Sequence, residues 1–333
     1  MPGCMNHGRS MTRKVKGLVA LALTLVASST FFAVGCRPTS HAVAPSELGR
    51  PSTTAAMEAR LDEPGPIVVE TVVGADWVVP RSGLLNLEHP TAKAAALEDG
   101  DEPIFVGFHA FRHPVHGLFL VDTGVERALR DDPEQSALGG MVRRFMNLDA
   151  MAFHTDTANW LEQQQERPAG VFLTHLHLDH VTGMRDVPAG TPVFVGPGEA
   201  TSRAPFHVLT RRSIDAALAG KPLQALPFAP PAKADDFAGV LDVFGDGTVW
   251  ALWVPGHTAG SVAFVLRTPT GPVLLTGDAC HTAWGWEHEV EPGTFSDDQA
   301  ESAVSLRRLR ALVERHPSMD VRLGHQHRAT ATL

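Results

Sequence analysis

The chain has 333 residues, 44% hydrophobic and 20% charged, and its 28 Lys and Arg against 37 Asp and Glu give a formal charge of −9. This is the profile of a soluble globular protein, and an excess of acid makes nucleic acid a poor partner, because phosphate binding needs Lys and Arg. The three cysteines, Cys4, Cys36 and Cys280, are too few and too scattered for a disulfide framework or a thiolate zinc site, so any metal must rest on carboxylates and the 17 histidines.

In chain order, residues 1–35 read as a signal peptide. Met11-Thr12-Arg13-Lys14-Val15-Lys16 is a basic start, and Leu18 to Val34 is an uncharged, mostly apolar run that stops at Gly35-Cys36. A retained membrane anchor is the competing reading of that run. The ending AVGC resembles the lipobox of bacterial lipoproteins, which implies cleavage before Cys36 and a lipid on its sulfur. The expectation is therefore an exported protein, lipid-anchored in the cell envelope. The absence of Asp after the cysteine favours the outer membrane. Without residues 1–35 the chain keeps 24 bases against 37 acids, a net −13.

Residues 36–62, rich in Pro, Ser, Thr and Ala, suit a flexible linker. Residues 63–333 are read as one α/β domain. Strands are expected at Ile67 to Val73, Ile104 to Phe111, Leu118 to Val121, Val171 to Thr174, Thr248 to Val254, Ser261 to Leu266, Pro272 to Thr276 and Asp320 to Leu323. Helices are expected from Asp156 to Glu166 and from Ser296, where Ser296-Asp297-Asp298-Gln299 has a capping-box pattern ahead of an apolar stripe. The Pro- and Ala-biased segment from 204 to 238 reads as an insertion or lid.

Chemistry concentrates where apolar strands end. Val171-Phe172-Leu173-Thr174 runs into His175-Leu176-His177-Leu178-Asp179-His180, four potential ligands within six residues. Side chains two apart on extended backbone project to one side, so His175 and His177 can grip one ion while Asp179 and His180 face a neighbouring one. Pro255-Gly256-His257-Thr258 places a histidine in a glycine-containing turn, Thr276-Gly277-Asp278 ends a strand in an acid, and Leu323-Gly324-His325 ends another in a histidine.

Together HLHLDH, PGHTAGS, TGD and LGH resemble the metal-binding motifs of the metallo-β-lactamase-fold hydrolases, over roughly residues 66–330. The resemblance implies a four-layer αβ/βα sandwich with a two-metal site along one edge. It implies that His175, His177 and His257 hold the first metal, that Asp179, His180 and His325 hold the second, and that Asp278 bridges both. His325, the first histidine after Gly324, is preferred over His327. Imidazole and carboxylate ligands suit two Zn²⁺, with other divalent ions possible. Such a pair can supply a bridging hydroxide near neutral pH and polarise a carbonyl, and Asp179 is the expected proton carrier. Leu120-Val121-Asp122-Thr123-Gly124 resembles a turn of this superfamily whose acid orients metal ligands; an ordinary Asx turn is the alternative.

The layout after Asp278 is most similar to the N-acyl-homoserine lactonases, in which a tyrosine follows the bridging acid. This chain contains no tyrosine, and His281 stands in that place as the candidate donor to the substrate carbonyl. Trp284 and Trp286 are expected either to wall the substrate groove or to pack in the core. The expected function is a dinuclear zinc hydrolase of a lactone or other small carboxylic ester. A glyoxalase-II-like thioesterase and a β-lactamase are the enzymatic alternatives, and an exported metal-binding lipoprotein is the non-enzymatic one. Oligomeric state is not readable from the sequence.

Overall fold

The computed structural model describes residues 41–230 and 235–328, so the expected signal peptide and Cys36 lie outside the described residues. The strands are β1 (Val43–Pro45), β2 (Arg50–Ser52), β3 (Val68–Pro80), β4 (Asp101–His113), β5 (Gly117–Val121), β6 (Ala152–Phe153), β7 (Gly170–Phe172), β8 (Val193–Val195), β9 (Leu223–Ala225), β10 (Gly239–Asp242), β11 (Val249–Trp253), β12 (Val262–Thr268), β13 (Gly271–Leu275) and β14 (Asp320–Arg322). Eight form a sheet in the order β1, β9, β8, β7, β5, β4, β3, β6, and six form a second in the order β14, β13, β12, β11, β10, β2.

Period-two alternation sorts the side chains into layers. In β5, Leu118 and Leu120 face one cluster while Phe119 and Val121 face another; in β7, Val171 divides from Phe172 in the same way. The second sheet repeats the pattern: Val262, Phe264 and Leu266 join Phe111, Phe119 and Phe172 between the sheets, while Ala263 and Val265 turn outward. The outer face of the first sheet packs on Leu176, Val181, Met184 and Ile214. The outer face of the second packs on Leu306, Leu309 and Leu312 of the helix Gln299–Arg315 and on Met57 and Leu61 of the helix Thr54–Leu61. Helix, sheet, sheet, helix is the expected four-layer sandwich. Among the described residues no helix is long and apolar enough to cross a membrane.

The architecture gathers chemistry at one edge. Strands β5 and β7 are parallel neighbours in one sheet, β13 and β14 in the other. Asp122 follows the end of β5, His175 that of β7, His257 that of β11, Asp278 that of β13 and His325 that of β14. Each of these five segments leaves the C-terminal end of its strand.

Three expectations are corrected. Residues 41–62 are not a free linker: β1 pairs with β9, β2 pairs with β10, and Met57 and Leu61 are fully buried. Composition misled because two three-residue strands are too short to show alternation. The segment 204–238, of which 231–234 lie outside the described residues, is not a lid. It contains the helix Pro205–Leu218, which buries His207, Thr210, Ile214 and Leu218, and then β9, which pairs with β1 and β8 inside the first sheet. The last helix is capped by Asp298, whose side chain accepts from the Glu301 amide at 3.0 Å, so Ser296 is released for another role.

Candidate metal centre

The HLHLDH segment leaves β7 with Leu176 and Leu178 anchored in the core, which turns the intervening polar side chains to the sheet edge. Histidines 175, 177 and 257 with Asp278 form one group of possible ligand atoms within 4.8 Å of one another; Asp179, His180 and His325 form a second; Asp278, His281 and His325 form a third. All seven ligands expected from the sequence thus come together. Asp278 lies at the centre, its Oδ2 3.6 Å from His175 Nε2, 3.3 Å from His180 Nε2, 3.4 Å from His257 Nε2 and 3.2 Å from His325 Nε2.

The outward-facing nitrogens fix the tautomers. His180 Nδ1 donates to Asp122 Oδ2 at 2.8 Å, His325 Nδ1 to the Phe105 carbonyl at 2.9 Å and His175 Nδ1 to Thr174 Oγ1 at 3.1 Å, whose own proton goes to Asp122, while His257 Nδ1 lies 3.2 Å from Ser296 Oγ. With one proton per neutral ring, Nε2 of His175 presents a lone pair inward, and Nε2 of His180 and His325 does so when a metal ion rather than a second ring proton faces Asp278. His257 Nε2 sits 3.2 Å from His175 Nε2 and 2.9 Å from His177 Nδ1, three nitrogens converging on one point. Asp278 Oδ1 and His180 Nε2 are buried without a partner. Acceptors packed against acceptors away from water call for cations, and imidazole and carboxylate donors with no thiolate fit zinc.

Electrostatics divides the two halves. Burial holds His175 and His257 well below the usual histidine range and His177 at about 3, which keeps their lone pairs free. Burial also opposes charge on His180 and His325, yet the facing carboxylates, Asp278 foremost, raise both above the usual value. Against its own burial, Asp278 is pulled well below the usual carboxylate range by His180, His325, His281 and His175.

Supporting contacts hold the ligands in place. Asp122, at a left-handed φ of 63°, aims its carboxylate at His180 and at the Thr174 amide (2.8 Å), while the Thr123 amide and hydroxyl both donate to the His180 carbonyl. The orienting role therefore holds over the plain turn. Ser296, Asp297 and Asp298 at the head of the last helix grip the His257 loop through one hydroxyl and two backbone amides. Sequence reading missed Glu199. This fully buried carboxylate accepts from the Leu176 amide at 2.7 Å, the Thr258 hydroxyl at 2.7 Å and the Gly260 amide at 3.0 Å. It ties the loop of His175 and His177 to the loop of His257, and no motif spacing advertises it.

The profile described as the metallo-beta-lactamase superfamily matches residues 111–318. This chain belongs to the metallo-β-lactamase superfamily. As a member it is a metal-dependent hydrolase, and several curated relatives are lactonases. The N-acyl homoserine lactonase AttM of Rhizobium johnstonii is 28% identical over 267 residues, 76% of this chain and 93% of that protein. Its namesake from Agrobacterium fabrum is 28% identical over 257 residues, 75% and 93%. The gamma-lactamase FDB1 of Fusarium pseudograminearum is 25% identical over 236 residues, 66% of this chain and 56% of that one. Among solved structures, a quorum-quenching N-acyl homoserine lactone lactonase superposes with a TM-score of 0.56 at 20% identity, covering 79% of this chain and 93% of the other. An N-acyl homoserine lactone hydrolase with N-hexanoyl-L-homoserine at its catalytic metal centre gives 0.55 at 19%, covering 79% and 93%.

In this superfamily member, an open groove of about 610 Å³ adjoins His325 and is lined by Trp77, Ile104, Phe105, Ala150 and His327, among others. His327 stacks on Phe105 with ring centres 4.8 Å apart, outside the ligand cluster, while His325 is inside it. Of the two readings open for Trp284 and Trp286, groove wall or core, neither residue lines this groove. Trp286 is buried in the outer core of the second sheet, and Trp284 stacks on His288 at 4.1 Å. Trp77 forms the wall instead. His281 is 1% exposed, with Nδ1 2.9 Å from the Leu84 carbonyl and Nε2 3.1 Å from Asp278 Oδ2.

Proposed function

We propose that this chain hydrolyses a lactone or a related small carboxylic ester using two zinc ions. The observation that carries the reading is the two ligand groups that meet at Asp278, whose Oδ2 lies 3.2–3.6 Å from Nε2 of His175, His180, His257 and His325, next to a groove walled by Trp77, Ile104 and Phe105. Similarity to the AttM lactonases over three quarters of the chain supports the substrate class. Two ions bound there would supply Lewis acidity, polarising a carbonyl and lowering the pKa of a water towards 7.

The chain's own residues do the rest. His175, His177 and His257 would hold the first ion, Asp179, His180 and His325 the second, and Asp278 would be shared. The groove orients the apolar part of the ester so that its carbonyl lies near His325, and its aromatic walls exclude water from one side. Asp179 is the most exposed of the acids in the cluster, with its side chain 19% accessible and Oδ2 3.4 Å from His325 Nε2. That position suits a carboxylate that takes a proton on the cluster side and delivers it to the leaving alkoxide.

Export by residues 1–35 and acylation of Cys36 belong to the same proposal. The lipobox-like ending supports them, and loss of fatty-acid labelling in Cys36→Ser would test them. The substrate is tested by a panel of acyl lactones, simple esters, thioesters and β-lactams on the zinc-loaded protein. Preference for lactones or esters is the expected result. Turnover confined to thioesters or β-lactams would replace the reading.

A further inference from the structure

His281 stands where a tyrosine would offer a hydrogen bond to substrate, yet its surroundings are those of a metal ligand. The Leu84 carbonyl can only accept, so Nδ1 carries a proton and donates to it at 2.9 Å. A neutral imidazole has one N–H, which leaves Nε2 as a lone pair. That lone pair lies 3.1 Å from Asp278 Oδ2, another acceptor, in a position almost closed to water. The pair is held together only by a cation between them, either a second proton on the ring or a metal ion.

His325 has the same wiring, atom for atom. Its Nδ1 donates to a backbone carbonyl, that of Phe105, at 2.9 Å, and its Nε2 stands 3.2 Å from the same Asp278 Oδ2. The two rings lie nearly parallel, 5.5 Å apart with an interplanar angle of 22°. His281 Nε2 and His325 Nε2 stand 3.1 and 3.2 Å from Asp278 Oδ2, and the three residues form one group of possible ligands; both distances are within the roughly 4.2 Å that two bonds of about 2.1 Å to one zinc ion allow. A carbonyl holding the far nitrogen of a ligating imidazole is the ordinary way such rings are aimed.

We propose that His281 is itself a ligand of the second ion, with His325, His180, Asp179 and Asp278, rather than a hydrogen-bond donor to substrate. The proposal rests on the two-metal reading above. Its consequence is that the chain replaces the lactonase phenol with an extra metal bond. One more protein ligand would then hold the second ion, leaving it fewer positions for water or substrate.

The test uses zinc-loaded protein labelled with ¹⁵N at histidine, with ring resonances assigned through bonds. His281 is expected to show a protonated Nδ1 and an unprotonated Nε2 shifted as a metal-bound nitrogen. A proton on Nε2 would overturn the proposal. In parallel, chelator competition on His281→Ala and His281→Asn is expected to weaken one of two zinc equivalents by tenfold or more and leave the other unchanged. The visible spectrum of cobalt at the weakened site should change as well. Two equivalents held with wild-type affinity, with an unchanged cobalt spectrum, would also overturn it. If wild-type protein binds fewer than two zinc ions, the two-metal reading falls and takes the proposal with it, a result distinct from a dinuclear protein whose His281 is unbound.

Discussion

Removing the Glu199 carboxylate should loosen the His175–His177 loop and the His257 loop at once. In Glu199→Ala the amides of Leu176 and Gly260 lose their acceptor inside the protein, while the Thr258 hydroxyl still has Ser261 Oγ at 2.8 Å. Each buried N–H left without a partner costs about 1–3 kcal/mol, so the pair amounts to roughly 2–6 kcal/mol. Glu199→Gln keeps one carbonyl oxygen and should lose about half as much. Urea unfolding in the presence of a chelator measures this term without the contribution of bound metal. Leu176 separates His175 from His177, and Thr258 follows His257, so the same variants should also bind zinc at these three histidines more weakly. A loss below about 1 kcal/mol for Glu199→Ala, with zinc affinity unchanged, would refute the idea that this carboxylate sets the spacing of the ligand loops.

Other perturbations have equally definite outcomes. Asp122→Ala frees the His180 ring and should lower zinc affinity about 10–100-fold in chelator competition, the scale for an orienting partner of a metal ligand. Gly256 has a φ of +133°, and a Cβ there would meet the Ser302 amide nitrogen at 2.2 Å. Gly256→Ala should therefore destabilise the fold by at least about 1–3 kcal/mol from backbone strain alone, read as a lower urea midpoint. Burial raises Glu126 from 4.5 to about 7, against its bond from the Ala137 amide. Between those values the folded state keeps a proton that the unfolded chain releases, so this residue's contribution to stability is present below pH 4.5 and lost as pH rises through 7. Glu126→Gln should raise Tm relative to the parent at pH 8, and the gain should shrink towards pH 5.

What could be read from the sequence follows from what each feature needs. His175, His177, Asp179 and His180 sit at fixed offsets on one segment, and His257, Asp278 and His325 each end an apolar run, so the resemblance of these motifs to those of the superfamily pointed to them. The long strands were legible because five or more residues alternate between two apolar faces. Strands β1 and β2 were not, having three residues each, and their partners β9 and β10 lie more than 170 residues away. Glu199 could not be found because its partners are mainly backbone amides, which carry no sequence signature. Ser296 was misassigned because Asp298 competes for the same cap with an acid three residues on, Glu301. The role of His281 depended on a carbonyl of Leu84, 197 residues earlier, that only the folded chain brings beside it.

The central claim is tested most directly by titrating zinc into chelator-stripped protein while following hydrolysis of an acyl lactone. The account predicts no turnover without metal and a rise that levels off at two equivalents per chain. Lactone turnover that survives chelation, or that saturates at one equivalent with no further zinc bound, would contradict it.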